Sequence, residues 1–474
     1  MPAFNPYLPS WEYVPDGEPR VFGDRVYVYG SHDLFGSSVY CEGDYVCWSA
    51  PTFDLSDWRY EGVIYRREQD PDHARGYLYA PDCVQGADGR YYLYYAISNV
   101  PLISVAVCDT PAGQYQFYGH VHYPDGRLWG EVPGDPNNFD PGVLVDDDGR
   151  VYVYTGFAPK GDKLAAQLRE CGLQAEGGYG VEVAQDMLTI RSDTVMTIPG
   201  IRKAVGTPYD GHAFFEASSP RKIRGRYYLI WSSVLSHELC YATADKPLGP
   251  YTYGGTIVSI SDIGLVNPAH ARNYRGNTHG GLVEIHGQWY IFYHRHTNRT
   301  AFSRQACAEP VTILPDGSIP QVEITSCGLN GGPLPGSGCY EARIACNLCS
   351  RDGIVDFAKS GSYEGHPYFT QSGTDRMGAG DQYIANLQDG AWCGFKYFAF
   401  DAQHSLTVTI RGNGEGQLIV SHDRDAAPVA VVPVTPGADW YSVTADFLPQ
   451  QGTQPLYVEY RGTGHVDFAT LVMA

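Results

Sequence analysis

Five short stretches of the chain alternate apolar and polar positions with a period of two, and each begins at a turn. They are GDRVYVYG (23–30), DGRYYLYYA (88–96), DGRVYVYTG (148–156), RGRYYLIWSS (224–233) and HGQWYIFYHR (286–295). A Gly or Asp-Gly turn followed by such alternation predicts a half-buried antiparallel strand. Taking Arg25, Arg90, Arg150, Arg226 and Gln288 as equivalent gives intervals of 65, 60, 76 and 62 residues. About sixty residues hold four short strands and their turns, which is one propeller blade. Phrases further along the units repeat as well: SVAVCDTPAGQYQFYG (104–119) echoes LCYATADKPLGPYTYGG (239–255). The pattern predicts a five-bladed β-propeller over 1–325. A sandwich of hairpins is the competing arrangement, and it gives no reason for five near-equal intervals.

After residue 325 the pattern changes. SCGLNGGPLPGSGCYEAR (326–343) is rich in Gly and Pro and reads as a linker. From 344 to 474 come short alternating runs such as YIANL, WCGFKYFAF, SLTVTIRG, GQLIVSHD and PLYVEYRG, at the spacing of a β-sandwich of the jelly-roll kind. The chain is therefore expected to be all-β, a propeller followed by a sandwich.

Composition narrows the partners. With 37 Tyr, 55 Gly and 32 Pro against 18% charged residues, the chain is built for many strands and tight turns. A formal charge of −20 disfavours a nucleic-acid backbone or an anionic membrane, leaving a neutral oligosaccharide or polysaccharide as the fitting partner. Tyr and Trp faces suit the C–H faces of sugar rings. The N-terminal stretch lacks a basic segment followed by an apolar run, so a cytoplasmic location and reduced thiols are expected for the twelve Cys. Cys346 and Cys349 form a lone CxxC with no second pair, which predicts no zinc site.

An ionisable side chain stands at nearly the same offset before each aligned position: Asp16 at nine residues, Asp82 at eight, Asp140 at ten, Glu216 at ten and His279 at nine. In a propeller that place is the start of the innermost strand, so all five point to one mouth of the central channel. Asp16, Asp140 and Glu216 stand beside apolar or Pro residues (VPDG, FDPG, FFEA), where an unpaired charge is costly unless it has a use. Asp146, Asp147 and Asp148 precede a Gly turn without the later Glu of a calcium loop and read as turn residues. Several carboxyls around a cleft suggest glycoside hydrolysis. Inversion needs one acid to protonate the leaving oxygen and one carboxylate to activate water, and a third negative group raises the pKa of the acid.

The order PD, then FDP with an acidic turn, then FFE before a strand, then HGG resembles glycoside hydrolase family 43 over roughly 1–325. That resemblance implies an inverting exo-glycosidase that releases terminal α-L-arabinofuranosyl or β-D-xylosyl residues from plant-type oligosaccharides. It makes Asp16 the general base, Asp140 the group that tunes and orients the acid, and Glu216 the general acid; Asp82, from the blade register alone, is expected to bind substrate. His279 matches a channel histidine that holds water or calcium, so no cofactor is required and a structural Ca2+ is left open. Arg304 in SRQACAEPV matches an arginine near the substrate and the tuning aspartate. The sequence departs from the resemblance at PDGEPR, where Gly17 and Glu18 replace a Pro-Ser, and at the Ala-Ser-Ser after Glu216. An endo-arabinanase, a galactan- or galactofuranose-acting enzyme and a non-catalytic carbohydrate-binding propeller remain alternatives. The 76-residue third interval, through KGDKLAAQLRECGLQAEGG (160–178), is a candidate lid. His294 and His296 are read as satisfied strand-end polar groups.

The C-terminal part, through GADWYSVTADF and PLYVEYRG, resembles carbohydrate-binding module family 6. Trp392, Trp440 and Tyr397 are the candidate stacking aromatics, with Asn386 as a hydroxyl partner.

Overall fold

A computed structural model describes residues 3–265, 270–356, 363–376 and 381–474. Five antiparallel meanders occupy its first two thirds. The first sheet is Glu18–Phe22, Arg25–Tyr29, Tyr45–Pro51 and Arg59–Tyr65, and the second runs from Asp82–Gln85 to Gln116–His120. The third runs from Gly142–Val145 to Val195–Pro199, and the fourth from Phe214–Ile223 to Thr252–Ser259. The fifth has three strands, Leu282–Ile285, Gln288–His296 and Arg304–Val311. The five repeated phrases are the second strands of these sheets.

The period-two alternation explains why the sheets form a ring. Each second strand sends alternate side chains to its two neighbouring blades. Tyr27 and Tyr29 pack with Leu93 and Tyr95 of the second blade, while Val26 and Val28 pack with Tyr290 and Phe292 of the fifth. Tyr92 and Tyr94 meet Val151 and Val153, Tyr152 and Tyr154 meet Leu229 and Trp231, and Tyr228 and Ile230 meet Ile291 and Tyr293. The five interfaces close the circle, so the fold is a five-bladed propeller. The N-terminus covers the edge of the fifth blade: Asn5 Nδ2 donates to the Ala308 carbonyl at 2.8 Å and Tyr7 N to that of Ala306 at 3.3 Å.

Two further sheets form the sandwich around a single core that includes Phe395, Phe398, Ile410, Leu456 and Phe468. One contains Trp392–Phe400, Gly452–Thr463, Glu415–Ser421 and Ala430–Val434; the other contains Tyr383–Gln388, His465–Met473, Ser405–Gly412 and Gly437–Asp446. The stretch 326–343, expected as a linker, already belongs to this domain. Leu334–Pro335 pairs with Phe398–Ala399, and Gly338–Glu341 pairs with the last strand. Its Gly and Pro residues serve short edge strands, a role that composition alone does not distinguish from a linker. Lys396, buried at the junction, binds Asp262 and Glu323, each at 2.7 Å, and so fastens the sandwich to the propeller.

Candidate active site

The inner strands bring four of the five predicted side chains toward one mouth. Asp16 and Asp140 have left-handed backbones, with φ of 58° and 46°, just before their strands turn into the channel. Glu216 sits where the pairing of Phe214–Ile223 slips on both sides, a bulge that re-aims a side chain. Close backbone approaches need glycines in two of the motifs. A Cβ on Gly142 of FDPG would lie 2.2 Å from the Ser218 carbonyl, and one on Gly281 of HGG 2.4 Å from Glu18 Oε2.

Asp16 accepts hydrogen bonds from Arg304 Nη1 at 3.1 and 3.3 Å. The same guanidinium is held in a fork by Asp33, Nε at 2.8 Å and Nη2 at 2.9 Å, and all three side chains are buried. His294 Nδ1 accepts the Asp16 backbone N–H at 3.2 Å and its Nε2 faces the Asn277 carbonyl at 2.9 Å, so the proton is on Nε2. Burial and Arg304 hold this imidazole neutral, and its 3.3 Å approach to Asp16 Oδ1 is packing and not an ion pair.

Asp140 and Glu216 are both pushed toward the protonated form. Burial, then the Glu216 and Asp16 charges, hold Asp140 well above the usual carboxylate range. Burial and Asp16 push Glu216 up to about 7, with Lys160 and Arg304 pulling it back. The two titrate as a pair beside Asp16, so at neutral pH the site holds a proton next to a carboxylate.

His279 lies deeper, 3.6 Å from Asp140 Oδ2 and 4.0 Å from Glu18 Oε1. Burial keeps it neutral. Both of its ring nitrogens, and Glu18 Oε1, lack hydrogen-bond partners, while Glu18 Oε2 takes Arg221 Nη2 at 2.6 Å. The substituted Glu18 is therefore neutralised by an arginine below the site. Elsewhere, His212, Glu238 and Cys240 have ligand atoms within 4.8 Å of one another. There Ser233, Thr256 and His212 already bond Glu238, a complete hydrogen-bond network.

Asp82, expected on the substrate, does not reach the mouth. It is fully buried; Arg20 Nε and Nη2 bind its two oxygens at 2.9 and 2.5 Å, and the Val143 and Cys83 amides donate to them too. Its offset of eight residues, against nine or ten elsewhere, sets it further along the inner strand, where it clamps blades together. Arg304, also expected on the substrate, is 1% exposed and bonds Asp16 rather than the cleft.

In the sandwich, Trp392 is 5% exposed between Tyr457 and Arg424, whose Cζ lies 4.5 Å from the ring centroid. Trp440 has Arg411 stacked at 4.3 Å, Tyr397 donates to Glu323 at the junction, and Asn386 Nδ2 donates to the Glu364 and His366 carbonyls. Trp392 is thus nearly closed off and one face of Trp440 is taken by Arg411, while Tyr397 and Asn386 already spend polar groups on the protein. Long cationic side chains lie over both tryptophan rings.

Several residues of the site were not foreseen. Asp33 is the buried partner that a buried arginine demands. An aromatic series, Tyr79, Phe139, Phe157 and Phe215, runs ring to ring at 5.2–5.5 Å past Asp140 and Glu216, and its members are only partly buried. Tyr40 faces Arg304 at 4.9 Å. Lys160, from the third interval, places Nζ 4.5 Å from the Phe215 centroid and donates to Ser236 Oγ. The helix Asp162–Glu170 follows it.

A sequence model of the glycosyl hydrolases family 43 matches residues 19–319. The chain belongs to this family. As a family 43 member it is a glycoside hydrolase, and its substrates are carbohydrates. It is 48% identical over 480 residues to a xylosidase/arabinosidase of Thermoclostridium stercorarium, covering 99% of this chain and 98% of that one. Among solved structures, it resembles a family 43 β-xylosidase/α-arabinofuranosidase from a compost microbial metagenome, in complex with xylotriose and in calcium-free form. That match has 27% identity and a TM-score of 0.52, over 68% of this chain and 96% of that one. A family 43 arabinoxylan arabinofuranohydrolase from Bacillus subtilis shares the fold over 99% of this chain and 97% of that one, at 19% identity and a TM-score of 0.51.

Proposed function

We propose that the enzyme is an inverting exo-glycosidase that releases terminal α-L-arabinofuranosyl and β-D-xylosyl residues from short plant-type oligosaccharides. One observation carries the reading: a hydrogen-bonded carboxyl, Asp16, shares a mouth with Glu216, which burial and the Asp16 charge push up to about 7. Asp16 takes a proton from water as that water attacks the anomeric carbon. Glu216 gives its proton to the leaving oxygen, burial and the Asp16 charge keep its proton affinity high, and Asp140, itself raised by burial and by Glu216, stands beside it as the orienting group. Arg304 fixes Asp16, and the partly exposed aromatic series supplies apolar walls for a pentose ring. The whole-length relative named xylosidase/arabinosidase supports the two sugars.

The unpartnered atoms of His279 and Glu18 fit a water or a calcium ion in the channel. They offer calcium one imidazole nitrogen and one carboxylate oxygen, so water would supply most of its ligands. Such an ion would add positive charge beneath Asp140. The twelve unpaired cysteines, nine of them buried, support a reducing compartment such as the cytoplasm.

The test is to assay nitrophenyl α-L-arabinofuranoside and β-D-xyloside with wild type, Asp16→Ala and Glu216→Ala, and to follow the first-formed anomer by NMR. Loss of turnover in Asp16→Ala and release of the inverted sugar are expected. Equal rates in all three proteins refute the assignment.

A further inference from the structure

The residues around the base are gripped from outside the propeller. Arg376 of the sandwich domain reaches into the first blade, with Cζ 5.1 Å from the Trp11 ring and 4.9 Å from the Tyr60 ring. Its Nη1 donates to both oxygens of Glu12, at 3.0 and 3.1 Å. Glu12 is 1% exposed, also takes the Trp48 indole N–H at 2.7 Å, and lies 3.1 Å from His32 Nε2. Burial raises the Glu12 pKa, but His32, Arg376 and Trp48 outweigh it and keep the group ionised.

Three more bonds cross the same boundary. Tyr13 Oη donates to Gln371 Oε1 at 2.7 Å, Phe35 N donates to Asp375 Oδ1 at 2.8 Å, and Gln305 Nε2 donates to Gln382 Oε1 at 3.2 Å. Each of the four anchors lies within four residues of Asp16, Asp33 or Arg304. The segments 12–16 and 32–35 are themselves joined, Asp33 N to the Tyr13 carbonyl at 3.0 Å, and the rings of Tyr13 and Phe35 stack 5.7 Å apart. The trio Asp16, Arg304 and Asp33 thus hangs on a frame whose far side belongs to the sandwich.

We propose that Arg376 is a positioning residue for Asp16, and that the sandwich domain serves turnover by holding the base rather than by capturing polysaccharide. This inference rests on the assignment of Asp16 as the base. Asp16 keeps an uncommon left-handed backbone, a conformation that lasts only while its surroundings enforce it. A base displaced by about an ångström loses on the order of 100-fold in rate.

The experiment measures kcat and KM of folded Arg376→Met, Arg376→Lys and Asp375→Ala on a nitrophenyl pentoside and on an unactivated disaccharide, with Asp16→Ala as control. Arg376→Met is expected to lower kcat by about 10- to 100-fold with KM within about twofold. The fall should be equal on the two substrates, because the base acts on water in both and only the disaccharide depends on the acid. Arg376→Lys, which keeps a cation at Glu12, should recover part of the rate. Asp375→Ala should shift kcat in the same direction by a smaller factor, and it decides the matter if Arg376→Met does not fold. Wild-type kcat in the folded variants overturns the proposal, as does an effect confined to KM on long oligosaccharides. An active Asp16→Ala control would instead overturn the assignment of the base, so the two failures are distinguishable.

Discussion

Lys160 gives the sharpest test of the electrostatics at the mouth. Glu216 is raised from its ordinary value to about 7 by burial and by Asp16, and Lys160 and Arg304 hold it from going higher. A raised acid is protonated below its pKa, so the alkaline limb of turnover should fall as pH rises through about 7, where Glu216 loses its proton. Lys160→Met removes one of the two cations that favour the ionised form. Two unit charges held about 8 Å apart in an effective dielectric of about 40 interact by about 1 kcal/mol, or about 0.7 pKa unit, which sets an upper scale for this pair. Lys160 is exposed, and solvent screening cuts that to about 0.3–0.5 unit. The alkaline limb of kcat/KM should therefore move to higher pH by that amount, while Lys160→Arg stays near wild type. The substrate must be an unactivated disaccharide, since nitrophenolate leaves without a proton and hides the acid. The displacement should shrink in about 1 M salt, where the screening length is about 3 Å. An unmoved limb, or one moved to lower pH, refutes the placement of Lys160 beside Glu216.

Other expectations follow from the geometry. Asp82→Asn leaves Arg20 buried without its counter-charge. It should cost about 3–5 kcal/mol of stability in thermal or urea unfolding and leave KM of the folded fraction unchanged; a KM effect alone would restore Asp82 to the substrate. Trp392→Ala should cost about 3 kcal/mol through lost packing against Tyr457 and Arg424, with no change in sugar affinity by calorimetry. A thiol reagent should titrate Cys171 and Cys339 readily in the native enzyme, the half-buried Cys108 more slowly, and the nine buried thiols only after unfolding. Added reductant should leave the Tm where it was.

The fold was legible because a propeller writes its geometry into local pattern. A second strand in such a ring must feed two neighbouring interfaces, and period-two alternation of Tyr, Val and Leu is the direct consequence, as in Val26 to Tyr29. The three acids were legible for a related reason: they occur once per unit at a nearly fixed offset. Asp82 shows how narrow that signal is. One or two residues of offset separate a group at the mouth from a clamp inside the channel, and no composition rule distinguishes them.

What stayed hidden depends on contacts between distant parts of the chain. Asp33 stands in an ordinary polar loop, SHDLFG, and gains its role only because Arg304, 271 residues later, is buried against it. Pairwise burial of charge leaves no periodic trace, yet it is strongly constrained, since each partner is costly without the other. The same holds for Arg376 and Glu12, 364 positions apart. In the sandwich, Trp392 and Trp440 read as sugar platforms because aromatics beside strand ends suit that use, and nothing in the sequence signals that Arg424 and Arg411 each lie over one of these rings. Five hydrogen bonds from the sandwich to the segments that carry Asp16, Asp33 and Arg304 point to a module whose binding energy is directed inward, at the propeller.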